Sequence, residues 1–159
     1  MAKRWIGDPA LLDSLSDNLI GTMSMFPKRL IRVDELVHAC HMPLSHIQIM
    51  TLLDGRDLSI GQLSERLGVA KPNITPMVDA LHDRGYVSRI HKSEDRRVVH
   101  VHLEPEGDEC LNRIKGIVSD QISQWPMKLS KSEVRLLNKG LGMLIRLMEG
   151  MNEQPADKG

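Results

Sequence analysis

The sequence predicts a mainly α-helical chain with a small β wing, in which a helix-turn-helix and a hairpin are flanked on both sides by long amphipathic helices. Three observations predict it. The first lies within Leu58–Gly85, where Ser59 followed three residues later by Gln62 is a capping-box signature and starts a helix at Ile60. Ile60, Leu63 and Leu67 recur at helical spacing and Gly68 ends the run. Ile74, Met77, Val78 and Leu81 then mark a second helix that stops at Gly85, and small Ser64 and Gly68 suit two helices crossing closely around a tight turn. The second observation is a pair of β-patterned runs, Tyr86–His91 and Val98–Leu103, joined by the charged stretch Lys92–Arg97. In the later run Val99, Val101 and Leu103 alternate with Val98, His100 and His102, so one face packs and the other is wet. The third is the pair of apolar helical flanks.

The N-terminal flank opens at Asp8-Pro9, a good N-cap followed by a proline in the first turn. Leu11, Leu12, Leu15, Leu19 and Met23 form its apolar stripe, Pro27 interrupts it, and the pattern resumes from Leu30 to about Cys40. Ser45 is a candidate cap for the next helix, whose Ile47, Met50 and Leu53 face inward before Gly55. After the wing, Glu104-Pro105 starts a helix carrying Leu111, Ile114, Val118, Ile122 and Trp125, ended by Pro126. Ser130 with Glu133 is a second capping box, and Val134, Leu137, Leu141, Leu144, Ile145, Met148 and Met151 run in near-heptads beyond it. So much apolar helix beside a small winged unit requires a partner, and a second copy is the natural one. The expected organisation is an N-terminal dimerisation helix over 1–42 and a winged helix-turn-helix over 43–104. C-terminal dimerisation helices then span 105–152, followed by a polar tail over 153–159.

With 159 residues, 26% of them charged and 41% hydrophobic, the chain has ordinary globular composition and enough length for a real core. Its formal net charge is zero, so any contact with nucleic acid depends on local charge, and the wing is locally basic. No apolar run approaches the roughly 18–20 residues of a membrane span, and no signal peptide heads the chain, so a cytoplasmic protein is expected. No phosphate loop, Ser/His/Asp arrangement or pair of carboxylates in a plausible cleft is present; the sequence reads as that of a non-enzyme without a cofactor.

At Leu58–Gly68, Lys71-Pro72-Asn73-Ile74-Thr75-Pro76, Gly85 with its following apolar residues, Arg89, and Asp95-Arg96-Arg97, the chain resembles the MarR family of bacterial winged helix-turn-helix transcriptional regulators. The helical flanks match in length, so the resemblance covers nearly the whole chain. It implies a homodimer built from the first and last two helices, and sequence-specific binding to double-stranded DNA as a repressor. The operator would be pseudo-palindromic, with half-sites about 34–36 Å apart, and a small apolar or aromatic effector would release the protein.

Under that reading the outward face of the second helix presents Pro72, Asn73, Thr75, Pro76 and Asp79, with Lys71 at its start. Asn suits a bidentate contact with adenine, Thr offers a hydroxyl and a methyl, and Lys71 suits a phosphate. The bland alternative for Asn73 and Thr75 is local backbone capping. Pro76 implies that the helix starts late, near Asn73, or that its first turn is irregular; many relatives carry arginine there. At the wing, Lys92, Arg96 and Arg97 can meet phosphates or a narrow minor groove. The resemblance gives the minor-groove role to Arg97 and an arginine-orienting role to Asp95. Arg89 either pairs with Asp95 or meets the DNA backbone.

The remaining chemistry-bearing residues read more simply. His38 and His41 flank Cys40, while His91, His100 and His102 lie on the wing; surface or capping roles are expected, with no metal site. Cys40 and Cys110, far apart in sequence, are expected to be buried or idle thiols. The methionines are expected to be core, although Met23, Phe26, Met50 and Trp125 could line an effector cleft. The competing functional classes are a winged helix used for protein–protein association, and a redox- or metal-responsive regulator of the same fold.

Overall fold

A computed structural model of the chain describes residues 8–25, 30–92 and 95–152, apart from the side chains of Ser24, Lys92, 95–97 and 151–152. Its elements are α1 (Pro9–Met25), α2 (Val33–Cys40), α3 (Leu44–Leu53), β1 (Leu58–Ser59), α4 (Ile60–Leu67), α5 (Lys71–Asp83), β2 (Val87–Lys92), β3 (Asp95–Leu103), α6 (Pro105–Ser123) and α7 (Lys131–Asn152). The mainly α architecture with a small antiparallel sheet is the expected one. Pro27, Phe26 and the tail over 153–159 lie outside the described residues.

Local chemistry sets the helix ends. Asp8 accepts at Oδ1 from the Ala10 amide at 3.0 Å and opens α1. The Ser59–Gln62 capping box is complete: the Gln62 amide donates to Ser59 Oγ at 3.2 Å, and the Ser59 amide donates to Gln62 Oε1 at 2.9 Å. Ser130 and Glu133 repeat the arrangement ahead of α7. Ser45, by contrast, is not a cap; the cap position falls two residues earlier, at Pro43, an extended residue that has no side-chain donor or acceptor to offer, and α3 starts at Leu44. Gly68 takes φ +63° at the end of α4, and open space surrounds the position where a Cβ would sit. Its use is the left-handed turn and not, as its small size suggests, a close helix crossing. At Gly61 a Cβ would lie 3.5 Å from Lys71 Cε, an ordinary contact.

The α5 helix begins at Lys71, so a late start near Asn73 is not the answer to Pro76. Pro72 occupies the first turn, where a missing N–H costs little, and Pro76 lies a turn further in, within the helix. The carbonyl of Pro72 therefore lacks its helical donor four residues on.

The sheet order is β1-β3-β2. Strand β3 is central, pairing Val101 with Leu58 on one side and with Arg89 on the other. Sequence alternation finds β2 and β3 but not β1, which is only two residues long and runs straight into the α4 cap. The wing strands also reach further than their apolar patterns: β2 extends to Lys92 and β3 begins at Asp95, with an irregularity at His91/Lys92.

Ile74, Val78 and Leu81 of α5 pack with Leu63 of α4, Ile49 and Met50 of α3, and Val101 of β3, all without measurable exposure. Leu36 and Met42, and Cys110, Leu111 and Ile114 of α6, join this core. Helix α2 and the first half of α6 thus share the core of the helix-turn-helix. A polar clasp fixes their relative placement: the buried Gln121 accepts from the Arg32 amide at 3.0 Å and donates to the Arg32 carbonyl at 3.3 Å. Trp125, beyond the end of α6, donates its indole N–H to the Leu30 carbonyl at 3.2 Å.

Gly107 is the tightest point. A Cβ there would lie 2.2 Å from the Tyr86 carbonyl oxygen and 2.7 Å from Leu103 Cδ1. The same carbonyl accepts from the Glu104 amide at 2.9 Å, so it cannot swing away freely. Gly107→Ala should therefore destabilise the fold by about 1–3 kcal/mol, the usual range for overpacking, read as a lower urea midpoint at unchanged m-value.

Candidate nucleic-acid interface

Helix α5 is seated by one face and leaves the other in solvent. Burial of Ile74, Val78 and Leu81 turns Lys71, Pro72, Asn73, Thr75, Pro76 and Asp79 outward, and all six are exposed. Met77, grouped with the buried stripe by its spacing, is only partly buried at the edge of that face. The Thr75 hydroxyl donates to the Lys71 carbonyl at 3.3 Å, the local backbone bond open to a threonine within a helix. This bond turns the hydroxyl back toward the helix's own backbone.

Strand β2 runs beside this helix. The Arg89 guanidinium donates from Nη2 to Asp79 Oδ1, tying the wing strand to the outward face of α5. Asp79 is thus a partner of Arg89, while the expected pairing with Asp95 falls on a side chain outside the described residues. Nothing in the spacing announces this contact, because it spans a helix and the strand after it. Lys92, Asp95, Arg96 and Arg97 have strand backbone, with Lys92 opposite Asp95; their side chains lie outside the described residues.

Of the four residues expected to line an effector cleft, the three that are described stand apart. Met50 is fully buried in the core, Met23 is 77% exposed on α1, Trp125 sits against Leu30, and Phe26 is outside the described residues. A groove of about 900 Å³ opens elsewhere, between α2, α3 and α6, with Leu36, Ile47, Leu52 and Val118 among its walls. Leu67 of α4 and Met148 of α7 also line it, and Gln48, Thr51, Lys115 and Ser119 supply its few polar groups. Periodicity identified most of these residues as apolar helical positions but could not say which faces would meet.

Cys40 and Cys110, distant in sequence, come to one cavity of about 280 Å³ with Arg84 and Arg113. Burial pushes the Cys40 thiol up, the neighbouring Cys110 adds to this, and Arg113 opposes it. A raised thiol pKa lowers reactivity at neutral pH. His38 and His41 face each other with ring centroids 6.1 Å apart, and His102 meets Asp57 at 2.7 Å. Among the described residues, no group of three or more His, Cys, Asp or Glu is placed to hold a metal ion.

A second charged joint connects the helix-turn-helix to the C-terminal helix. Glu149 of α7 accepts on Oε1 from Arg56, ahead of β1, at 2.9 Å and from Arg66 of α4 at 3.2 Å. Hydrogen bonding from Arg56 is the largest influence holding the Glu149 carboxyl below the usual carboxylate range, and Arg66 acts in the same direction.

The MarR family model matches residues 45–99, the span from α3 into the wing. The chain is 35% identical over 98 residues to the HTH-type transcriptional repressor YetL of Bacillus subtilis, covering 60% of this chain and 59% of that protein. It is 25% identical over 111 residues to the HTH-type transcriptional regulator YhbI of the same organism, covering 70% of this chain and 72% of the relative. In structure it is similar to a MarR family protein from Bacillus stearothermophilus, with a TM-score of 0.66 at 20% identity, covering 90% of this chain and 99% of that one.

The Glu149 joint has a defined pH signature. Its folded pKa is depressed, so its contribution to stability is complete above the unfolded carboxylate pKa of about 4.3 and is lost as pH falls through the lower folded value. Glu149→Gln should therefore lower the urea midpoint at about pH 7, and the gap to wild type should narrow at about pH 3.

Proposed function

Since the chain belongs to the MarR family of transcriptional regulators and has its winged-helix DNA-binding fold, we propose that it binds a pseudo-palindromic operator as a homodimer and represses transcription until a small apolar or aromatic effector releases it. The observation that carries this reading is the seating of α5: a fully buried Ile74–Val78–Leu81 face sets Lys71, Pro72, Asn73, Thr75 and Pro76 outward beside the wing. Asn73 and the Thr75 methyl are suited to base edges, Lys71 to a phosphate, and Arg97, oriented by Asp95, to the minor groove. Lys92 and Arg96 add positive charge at the wing.

Dimer formation is supported by the apolar helices at the two ends of the chain. Leu11, Leu15 and Leu19 of α1 are 45–62% exposed, and Leu137, Leu141, Leu144 and Met148 of α7 are 41–51% exposed. A stripe of this kind on two long helices requires cover, and a second copy supplies it through the same surfaces. The dimerisation role belongs to α1 and α7, while α2 and the first half of α6 support the reading head. The similarity to YetL, a transcriptional repressor, supports the sign of regulation. The apolar groove between α2, α3 and α6 is the place for an effector, because Leu67 of the reading head and Met148 of α7 both line it. A ligand there shifts DNA affinity only by binding one arrangement of these helices better than another. No described helix is long and apolar enough to cross a membrane.

Fluorescence anisotropy tests the reading, comparing duplex DNA from upstream of the protein's own gene with random duplex across a salt series. The upstream duplex should bind tighter, with strong salt dependence. Arg97→Ala should weaken that binding about ten-fold or more. Lys71→Ala should weaken binding to both duplexes alike and reduce the salt slope by about 1. Equal binding of both duplexes by wild type and both variants would overturn the interface.

A further inference from the structure

We infer that Asp79 is a positioning residue that withholds Arg89 from the DNA backbone, so that the recognition face is read by its neutral groups and non-specific attraction is held down. The inference rests on the DNA-binding reading and goes beyond it, because it makes an acidic residue on the interface a determinant of specificity and removes Arg89 from the direct contacts.

Asp79 lies one turn beyond Thr75 on the outward face of α5, and its side chain is 52% exposed. A carboxylate there faces a polyanion, and left alone it would weaken binding to every sequence. Arg89 neutralises it through the Nη2–Oδ1 bond. The strand that carries Arg89 is held rigidly, with Arg89 opposite Val101 in the sheet and Val101 itself fully buried. Only the arginine side chain is therefore free to choose between the carboxylate and a phosphate. Its own side chain is 35% exposed, so solvent and phosphate both have access to it. An exposed ion pair is individually weak, so the choice is close enough for one substitution to reverse it.

Each additional phosphate contact releases counterions and steepens the salt dependence by about 0.9 in the log–log slope. Such contacts add affinity without reading bases. An arginine released from Asp79 would thus raise binding to all duplexes and erode the difference between them.

The test is a double-mutant cycle on the full-length protein, using random duplex and the protein's own upstream duplex in anisotropy titrations across salt. Asp79→Asn should bind random duplex about 3- to 10-fold tighter at low salt, with a slope steeper by about 0.9, and should discriminate less between the duplexes. Asp79→Glu, which keeps the pair, should behave as wild type. In the Arg89→Ala background, Asp79→Asn should no longer steepen the slope. The inference is overturned if Asp79→Asn gives the same gain with and without Arg89, since the carboxylate would then act by its own charge. It is overturned equally if Arg89→Ala alone lowers the slope by about 0.9 while Asp79→Asn leaves it unchanged, because Arg89 would then already be on a phosphate. Loss of discrimination in Asp79→Asn without any change on random duplex would make Asp79 a base reader instead. Urea midpoints near wild type for all variants exclude unfolding as the source of these changes. Failure of wild type to bind either duplex would remove the DNA-binding reading itself, and this inference with it.

Discussion

The seat of α5 in the core governs everything else in this molecule. Ile74, Val78 and Leu81 are fully buried against α3, α4 and the central strand β3. Interiors packed at crystal-like density do not let such a helix rotate about its axis by small amounts. The identity of the outward residues is therefore a consequence of packing, and a change in the core can alter the surface without touching it. The wing obeys the same constraint, because Val101 of β3 is locked between Leu58 of β1 and Arg89 of β2 while its side chain lies in that core.

Much of this was legible in the sequence where the controlling chemistry is local. The Ser59–Gln62 and Ser130–Glu133 boxes place two helix starts, since both bonds of a capping box lie within four residues. The buried stripe of α5 follows from spacing alone, with Met77 the one member left at the edge. Ser45 misled because a capping residue type matters only if the chain turns at that residue, and the turn falls at Pro43. Strand β1 escaped because two residues cannot display a period. The Asp79–Arg89 pair, the Gln121 clasp, the Gly107 contact and the meeting of Cys40 with Cys110 are all tertiary, and no local pattern encodes them. The effector cleft illustrates the same limit: methionine content suggests an adaptable pocket, but only packing decides that Met50 is interior and that Leu36, Ile47 and Val118 line the groove.

The two ends of the chain differ from its centre in the kind of order they have. The reading head is closed on itself, whereas α1 and α7 carry more apolar surface than one copy covers. Between them sits Glu149, whose single oxygen is shared by Arg56 and Arg66. Two guanidinium groups on one oxygen make a point contact. It ties α7 to the head at one point and constrains their angle weakly, and Met148, next to Glu149 in sequence, lines the open groove between α2, α3 and α6.

Pro76 has a consequence for hydration. Its ring nitrogen carries no hydrogen, so the Pro72 carbonyl, on an exposed residue of the outward face, is denied the donor that every other turn of a helix would give it. An acceptor without its helical donor is then built into that face. A surface pressed against it must either leave room for a water or present a donor of its own. Groups that can do neither incur the desolvation of a peptide oxygen. The helix thereby discriminates among what approaches it through a backbone atom, independently of any side chain it displays.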